Sequence, residues 1–326
     1  MSGLILAVDG GNAKTDLALV ATDGRVHAFV RGPGSSPHEH GVDGALDRIE
    51  ALLIEAGADG PVAYAELLLA GVDFPSEVET VQTRARERGW ADRVEVANDT
   101  FAVLRAGTDR GWGIALVCGA GINCLGIGPD GRQARFPALG PITGDWGGGQ
   151  DVGLAAVFAA ARSEDGRGPR TALEQAVPAH FGVATPLELA EAVHTGAISQ
   201  RRFVELAPIV LAEAADDAVA AEIVDRLAEE VVTLVRVALE RIGPVNDADI
   251  VLGGGLMQAR DARLLAAIEG GLGELGILHS LTVVDAPPVV GAALRALDTL
   301  GAAPQAYARL RSELAAYDQL AEVAHG

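Results

Sequence analysis

The segments "LILAVDGGNAKTDLALV" (Leu4–Val20) and "WGIALVCGAGINCLGIG" (Trp112–Gly128) each set a glycine turn between two apolar runs. This recurrence constrains the fold more than any other feature, because apolar runs bounded by glycine read as buried strands joined in a hairpin. The first hairpin continues into "TDGRVHAFVRG", a turn and third strand; the second closes with "PDGR", another hairpin turn. Leu46, Ile49, Leu52 and Leu53 then fall at helical spacing, and "ELLLAG" (Glu66–Gly71) reads as a strand. Ser76 with Glu79 predicts a capping box opening a helix to about Gly89. "RVEVAND" (Arg93–Asp99) is a further strand, followed by a short helix in "TFAVLRAG". From Asp151 to Ile242 the pattern is helical; "ADIVLGGG" and "SLTVVD" return to strands, and helices are predicted over Pro287–Leu300 and Ala302–Ala324. Strands mixed with helices, arranged twice, predict an α/β protein of two similar halves with a cleft between them.

The length of 326 residues suits two domains. A formal charge of −20 supplies no basic stripe, so nucleic acid and anionic membranes are not expected partners. No apolar run is long enough to span a bilayer, Met1–Val8 lacks a basic leader region, and a cytoplasmic protein is expected. Cys118 and Cys124 lie six apart in one segment, too few for a four-ligand metal centre and poorly placed for a structural disulfide. Lys14 is the one lysine of the chain.

Several loops could carry chemistry, and each has a plainer reading. Gly10 and Gly11 allow close approach of a ligand, Asp9 could hold a metal ion through water, and Lys14 or Thr15 could reach a phosphate. The same residues also make an ordinary hairpin turn, and neither a Walker loop nor a Rossmann fingerprint is present. Gly119 and Gly121 would expose N–H groups to phosphate oxygens, and Asn123 offers an amide to a hydroxyl. Gly253–Gly255 can lie flat against a base or ribose, or simply connect a strand to a helix. Asp99, at a strand end before a helix, is placed as a general base or as a helix cap, a duty Asn98 or Thr100 could equally take. Asp145 sits among five glycines in ten residues of "ITGDWGGGQDVG", a costly density unless something binds there.

In their order these loops are more specific. "AVDGGNAKTDLALV", "LLLAGVD", "ANDTFA", "VCGAGINCLGIGPDGR", "GPITGDWGGG" and "PPVVGAALRAL" resemble the actin-like ATPase and sugar kinase superfamily, and within it the BadF/BadG/BcrA/BcrD ATPase family, over about residues 4–300. The resemblance implies an α/β fold of two ribonuclease H-like (actin-like ATPase) domains with an interdomain cleft. It implies an N-terminal domain of 1–108 joined by C-terminal helices from about 288–326, and a second domain of 109–287 with a helical insertion of about 151–242. It further implies ATP- and Mg²⁺-dependent phosphorylation of a sugar hydroxyl, with N-acetylglucosamine leading over glucosamine and other amino sugars, and a homodimer. By the resemblance, Gly10, Gly11, Asn12, Ala13, Lys14, Thr15, Gly119, Ala120 and Gly121 would meet the phosphates, and Gly253, Gly254 and Gly255 would border the adenosine. Asp9 would hold Mg²⁺ through water, and Asp99 would be the catalytic base. Ser36, Ile122, Asn123, Gly140 and Asp145, with Asp99, would bind the sugar. Three positions depart from the family: Asn12-Ala13 stands where Gly-Thr is usual, Ala120 where Thr is usual, and Trp146 where Glu is usual. Other classes remain open: an activator ATPase sharing an iron–sulfur cluster between subunits, or an inactive sugar-binding protein.

Overall fold

The computed structural model describes residues 3–276 and 278–325, with side chains through Tyr317. The chain opens with β1 (Leu4–Gly10), β2 (Lys14–Ala21) and β3 (Val26–Pro33), followed by α1 (Pro37–Glu55), β4 (Val62–Leu69), α2 (Pro75–Glu87), β5 (Ala91–Asn98) and α3 (Thr100–Gly107). Next come β6 (Gly113–Cys118), β7 (Ile122–Ile127), β8 (Gln133–Arg135), α4 (Gly148–Glu164), α5 (Leu173–His180), α6 (Pro186–His194), α7 (Ala207–Glu213) and α8 (Ala218–Ile242). β9 (Asp247–Gly253), α9 (Gly255–Gln258), α10 (Ala262–Gly273), β10 (Leu278–Val283), α11 (Val289–Leu300) and α12 (Pro304–His325) complete it. Two compact units result: residues 1–115 with 284–326, and residues 116–283, the first break falling inside β6.

The predicted repeat is visible in the sheets. The first unit orders its strands β3-β2-β1-β4-β5, and the second sheet runs β8-β7-β6-β9-β10, the same sequence of strands moved five along. In the first sheet β1 pairs antiparallel with β2 and parallel with β4. Ile5–Val8 of β1 are fully buried, which explains why this central strand is a continuous apolar run. The register sets Asp9 opposite Asp16 and, one strand further, Asp16 opposite Arg31. On one side α1 buries Leu46, Ile49, Leu52 and Leu53 against the sheet, as their spacing predicts.

The second unit hangs on α8, whose Ile223, Leu227, Val231, Val235 and Ile242 form one buried stripe. Its N-cap is Asp217, which accepts from the Ala220 N–H at 2.8 Å. One expected cap differs. Ser76 lies inside the first turn of α2, and Glu77 does the capping by accepting from the N–H groups of Asp73 (2.8 Å) and Phe74 (2.9 Å). Pro75 explains the shift, since it takes the first helical position, where its missing N–H costs nothing. Among the described residues no helix is long and apolar enough to cross a membrane.

Candidate active site

In the first unit the site residues gather at the ends of β1 and β5. Asp9 and Asp16 are both buried, facing across the β1–β2 pair. Two buried carboxylates need compensation, and Arg31 bonds Asp16 directly, through Nε at 2.6 Å and Nη2 at 3.0 Å. Lys14 Nζ lies 3.5 Å from the same Asp16. Burial, then the nearby carboxylates of Asp99 and Asp16, hold the Asp9 carboxyl well above the usual range; Lys14 and Arg31 offset this only in part. Burial likewise pushes Asp99 up to about 6, with the N–H groups of Thr100 and Asp99 pulling the other way.

Helix capping does not occupy Asp99. Asn98 takes that duty: its Oδ1 accepts from Thr100 N (3.0 Å) and Thr100 Oγ1 (2.6 Å), while its Nδ2 donates to Asp73 Oδ1 at 2.8 Å. Asp99 sits at the N-cap position without a side-chain cap bond. Beyond the N–H groups of Thr100 and Asp99, its oxygens keep capacity to accept from another group.

The first glycine turn is closed by Gly11 N–H donating to Lys14 O (2.8 Å), and Asn12, Ala13 and Lys14 are exposed at its tip. Thr15 differs from its neighbours: it is fully buried, and its hydroxyl is engaged with Pro33 O (2.9 Å) and Ser35 Oγ (2.8 Å). It fixes the hairpin to the following loop rather than presenting its hydroxyl outward. Ser36 is buried too, and its Oγ has no hydrogen-bond partner, an unsatisfied hydroxyl of the kind that signals a functional or strained place. Near it, His38 Nε2 lies 3.2 Å from Glu77 Oε1.

The second unit carries the other candidates. Gly119 N–H donates to Gly121 O (2.9 Å), closing the second glycine turn. The first turn of α4 then takes up the hairpin's carbonyls, with Gly149 N–H on Gly119 O (2.8 Å) and Gln150 N–H on Ala120 O (2.9 Å). A side chain at Gly119 or Gly121 would meet nothing within 4 Å, so the fold itself does not demand glycine there. Gly148 is the opposite case: at φ +76° its Cβ would stand 2.4 Å from Gly121 O. Part of the glycine density of this loop thus serves close packing of backbone on backbone, a reason the sequence alone hid. Gly254, after β9, has φ +88° and would place a Cβ 2.4 Å from Cys118 O, which brings the third glycine loop against the base of the second hairpin.

In the loop before α4, Gly140 adopts φ +65° and its carbonyl accepts from Thr143 (3.0 Å) and Asp145 (3.1 Å) N–H. The Thr143 hydroxyl donates to Asp145 Oδ2, orienting that carboxylate. Trp146 stacks under the Arg226 guanidinium, 3.9 Å from its ring centre. In β7, Ile122 is buried and the Asn123 Oδ1 accepts from Cys124 N–H at 2.7 Å. Cys118 and Cys124 are buried, and burial pushes the Cys118 thiol up to about 12 and the Cys124 thiol upward as well. Both stay protonated and enclosed, which does not suit them to ligate a cluster shared with another subunit.

Sequence reasoning missed Arg31, whose role follows from the β2–β3 register; of the three cap candidates it left open, Asn98 is the one whose side chain bonds the start of α3. A family model described as the BadF/BadG/BcrA/BcrD ATPase family matches residues 6–296. The N-acetylmuramic acid/N-acetylglucosamine kinase of Clostridium acetobutylicum is 25% identical over 253 residues, covering 74% of this chain and 81% of the relative. The N-acetyl-D-glucosamine kinase of Dictyostelium discoideum is 25% identical over 226 residues, covering 65% and 71%. The crystal structure of a candidate N-acetylglucosamine kinase from Chromobacterium violaceum superposes with a TM-score of 0.71 at 25% identity, covering 90% of this chain and 98% of that one.

Proposed function

The chain belongs to the BadF/BadG/BcrA/BcrD ATPase family, and from that premise we propose that it transfers the γ-phosphoryl group of ATP to a hydroxyl of an amino sugar. N-acetylglucosamine is the leading acceptor, since both curated relatives carry it in their names. The observation that carries the reading is Asp99: a carboxylate at a strand end, spared from capping by Asn98 and raised by burial to about 6. Such a group is ionised at neutral pH yet basic enough to take a proton from an attacking hydroxyl, a role worth typically 10²–10⁴-fold.

Phosphoryl transfer otherwise asks for positioning and charge neutralisation. The first hairpin of each unit turns on glycines, and at Gly119 and Gly121 open space around the missing Cβ supports close approach of a phosphate. Asp9 is the residue that would hold a magnesium ion through water: it offers hard carboxylate oxygens, and its raised carboxyl lacks the direct cation that Arg31 gives Asp16. Magnesium, when bound, neutralises charge on the β- and γ-phosphates. Asp145, oriented by Thr143, and Asn123 would accept and donate hydrogen bonds to the remaining sugar hydroxyls.

ADP release with ATP and Mg²⁺ across hexoses, glucosamine and N-acetylglucosamine tests the reading. Turnover that depends on an amino sugar, greatest with N-acetylglucosamine, is expected. ATP hydrolysis indifferent to every sugar would overturn it.

A further inference from the structure

Glu66 of β4 is a buried carboxylate outside the site described above, 1% exposed in the middle of the first sheet. A charge so placed is retained only with partners. It has two: Tyr64 Oη donates to its Oε2 at 2.6 Å, and Arg295 Nε donates to its Oε1 at 2.8 Å. Arg295 comes from α11, 229 residues further along the chain. Its guanidinium also covers the ring of Phe101, 4.8 Å from the ring centre. Phe101 is the second residue of α3, two places after Asp99.

Arg295 is one point of a longer grip. Gly291, one turn earlier on the same face of α11, lies so close to α3 that a Cβ there would stand 1.8 Å from Ala102 O. Asp298, three residues after Arg295, accepts from Arg105 of α3 through both oxygens, at 2.7 and 3.2 Å. α11 therefore touches the first turn of α3 at Phe101 and Ala102, its last turn at Arg105, and the sheet below at Glu66. Asp99 immediately precedes α3, and its carboxylate is drawn to its own N–H and that of Thr100, so its place follows from where the first turn of α3 sits.

We propose that Arg295 is a positioning residue for phosphoryl transfer, holding Phe101 and with it the Asp99 carboxylate in line for the acceptor hydroxyl. The inference rests on Asp99 as the base. Its logic is that misplacing a reacting group by about 1 Å can cost around 10²-fold, while binding of the substrates' other parts is left intact. Arg295 acts through an aromatic ring. A lysine could keep the ion pair to Glu66 and a charge over Phe101, but not the planar cover of a guanidinium.

The test is steady-state kinetics with ATP and N-acetylglucosamine on R295M, R295K, F101L and the R295M/F101L pair, with circular dichroism reporting the folded fraction of each. R295M should lower kcat about 10- to 100-fold with both KM values within about twofold. R295K should recover part of the loss, and the double variant should be no worse than the poorer single one. Because R295M strands Glu66 in the core, E66Q/R295M is made alongside, removing both charges so that folding is spared; its kcat should be as low. A kcat within twofold of wild type in that folded variant, or additive effects of R295M and F101L, overturns the proposal. Substantial turnover by Asp99→Asn would instead overturn the assignment of the base, an outcome the Arg295 variants do not produce.

Discussion

At the scale of single residues, the account turns on two carboxylates and what surrounds them. Asp99 rises to about 6 because it is buried, so sugar phosphorylation should fall about tenfold per pH unit below that value as the base is protonated. Stability moves the other way. A carboxyl raised in the folded state binds its proton more tightly there than in the unfolded chain, so its stabilising contribution is present below the ordinary carboxylate value and lost as pH rises through about 6. Rate against pH together with thermal unfolding at the same pH values checks both signs. Asp9 makes a second case. Its charge is costly where it stands, next to Asp16 and Asp99, so Asp9→Asn should leave the melting temperature unchanged or higher while turnover drops by roughly 10² or more. A variant that melts lower and keeps its turnover would refute that role.

At the scale of elements, α3 shows how local structure frees a functional group. Asn98 joins two elements, bonding Thr100 at the start of α3 and Asp73 beyond β4. Asn98→Ala should cost about 1–2 kcal/mol, the usual cost of a lost cap, and lower kcat as Asp99 loses its seat; chemical denaturation and kinetics on one preparation measure both. This is also where the limits of the sequence lie. Apolar runs and glycine turns foretold β1, β2, β6 and β7, because strand burial and turn geometry are written locally. Whether Asn98, Asp99 or Thr100 caps α3 could not be read, since all three are competent and the choice depends on Asp73, 25 residues away. Thr15 stood beside Lys14 as a phosphate candidate, yet its hydroxyl turns inward to Ser35, 20 residues on. Gly119 and Gly121 and the run Gly147–Gly149 are alike in composition; only the packed chain separates those whose Cβ would meet neighbours from those whose Cβ would meet nothing.

At the scale of the whole molecule, the same order of strands is built twice, and the second half returns α11 and α12 to the first unit. That return explains how a helix near residue 295 comes to pack on the turn that follows Asp99. The repetition was legible because each half begins with the same strand–glycine–strand device; the return of α11 was implied by resemblance, and its grip on α3 was not legible at all. We propose above that Asp99 takes the proton of the sugar hydroxyl that this chain phosphorylates. The most direct measurement is sugar-dependent ADP release by wild type and Asp99→Asn side by side, with sugar binding followed by calorimetry. The account predicts turnover by the wild type with N-acetylglucosamine, turnover lower by at least about 10² in the variant, and sugar bound by both. Comparable sugar-dependent turnover in the two proteins would contradict it.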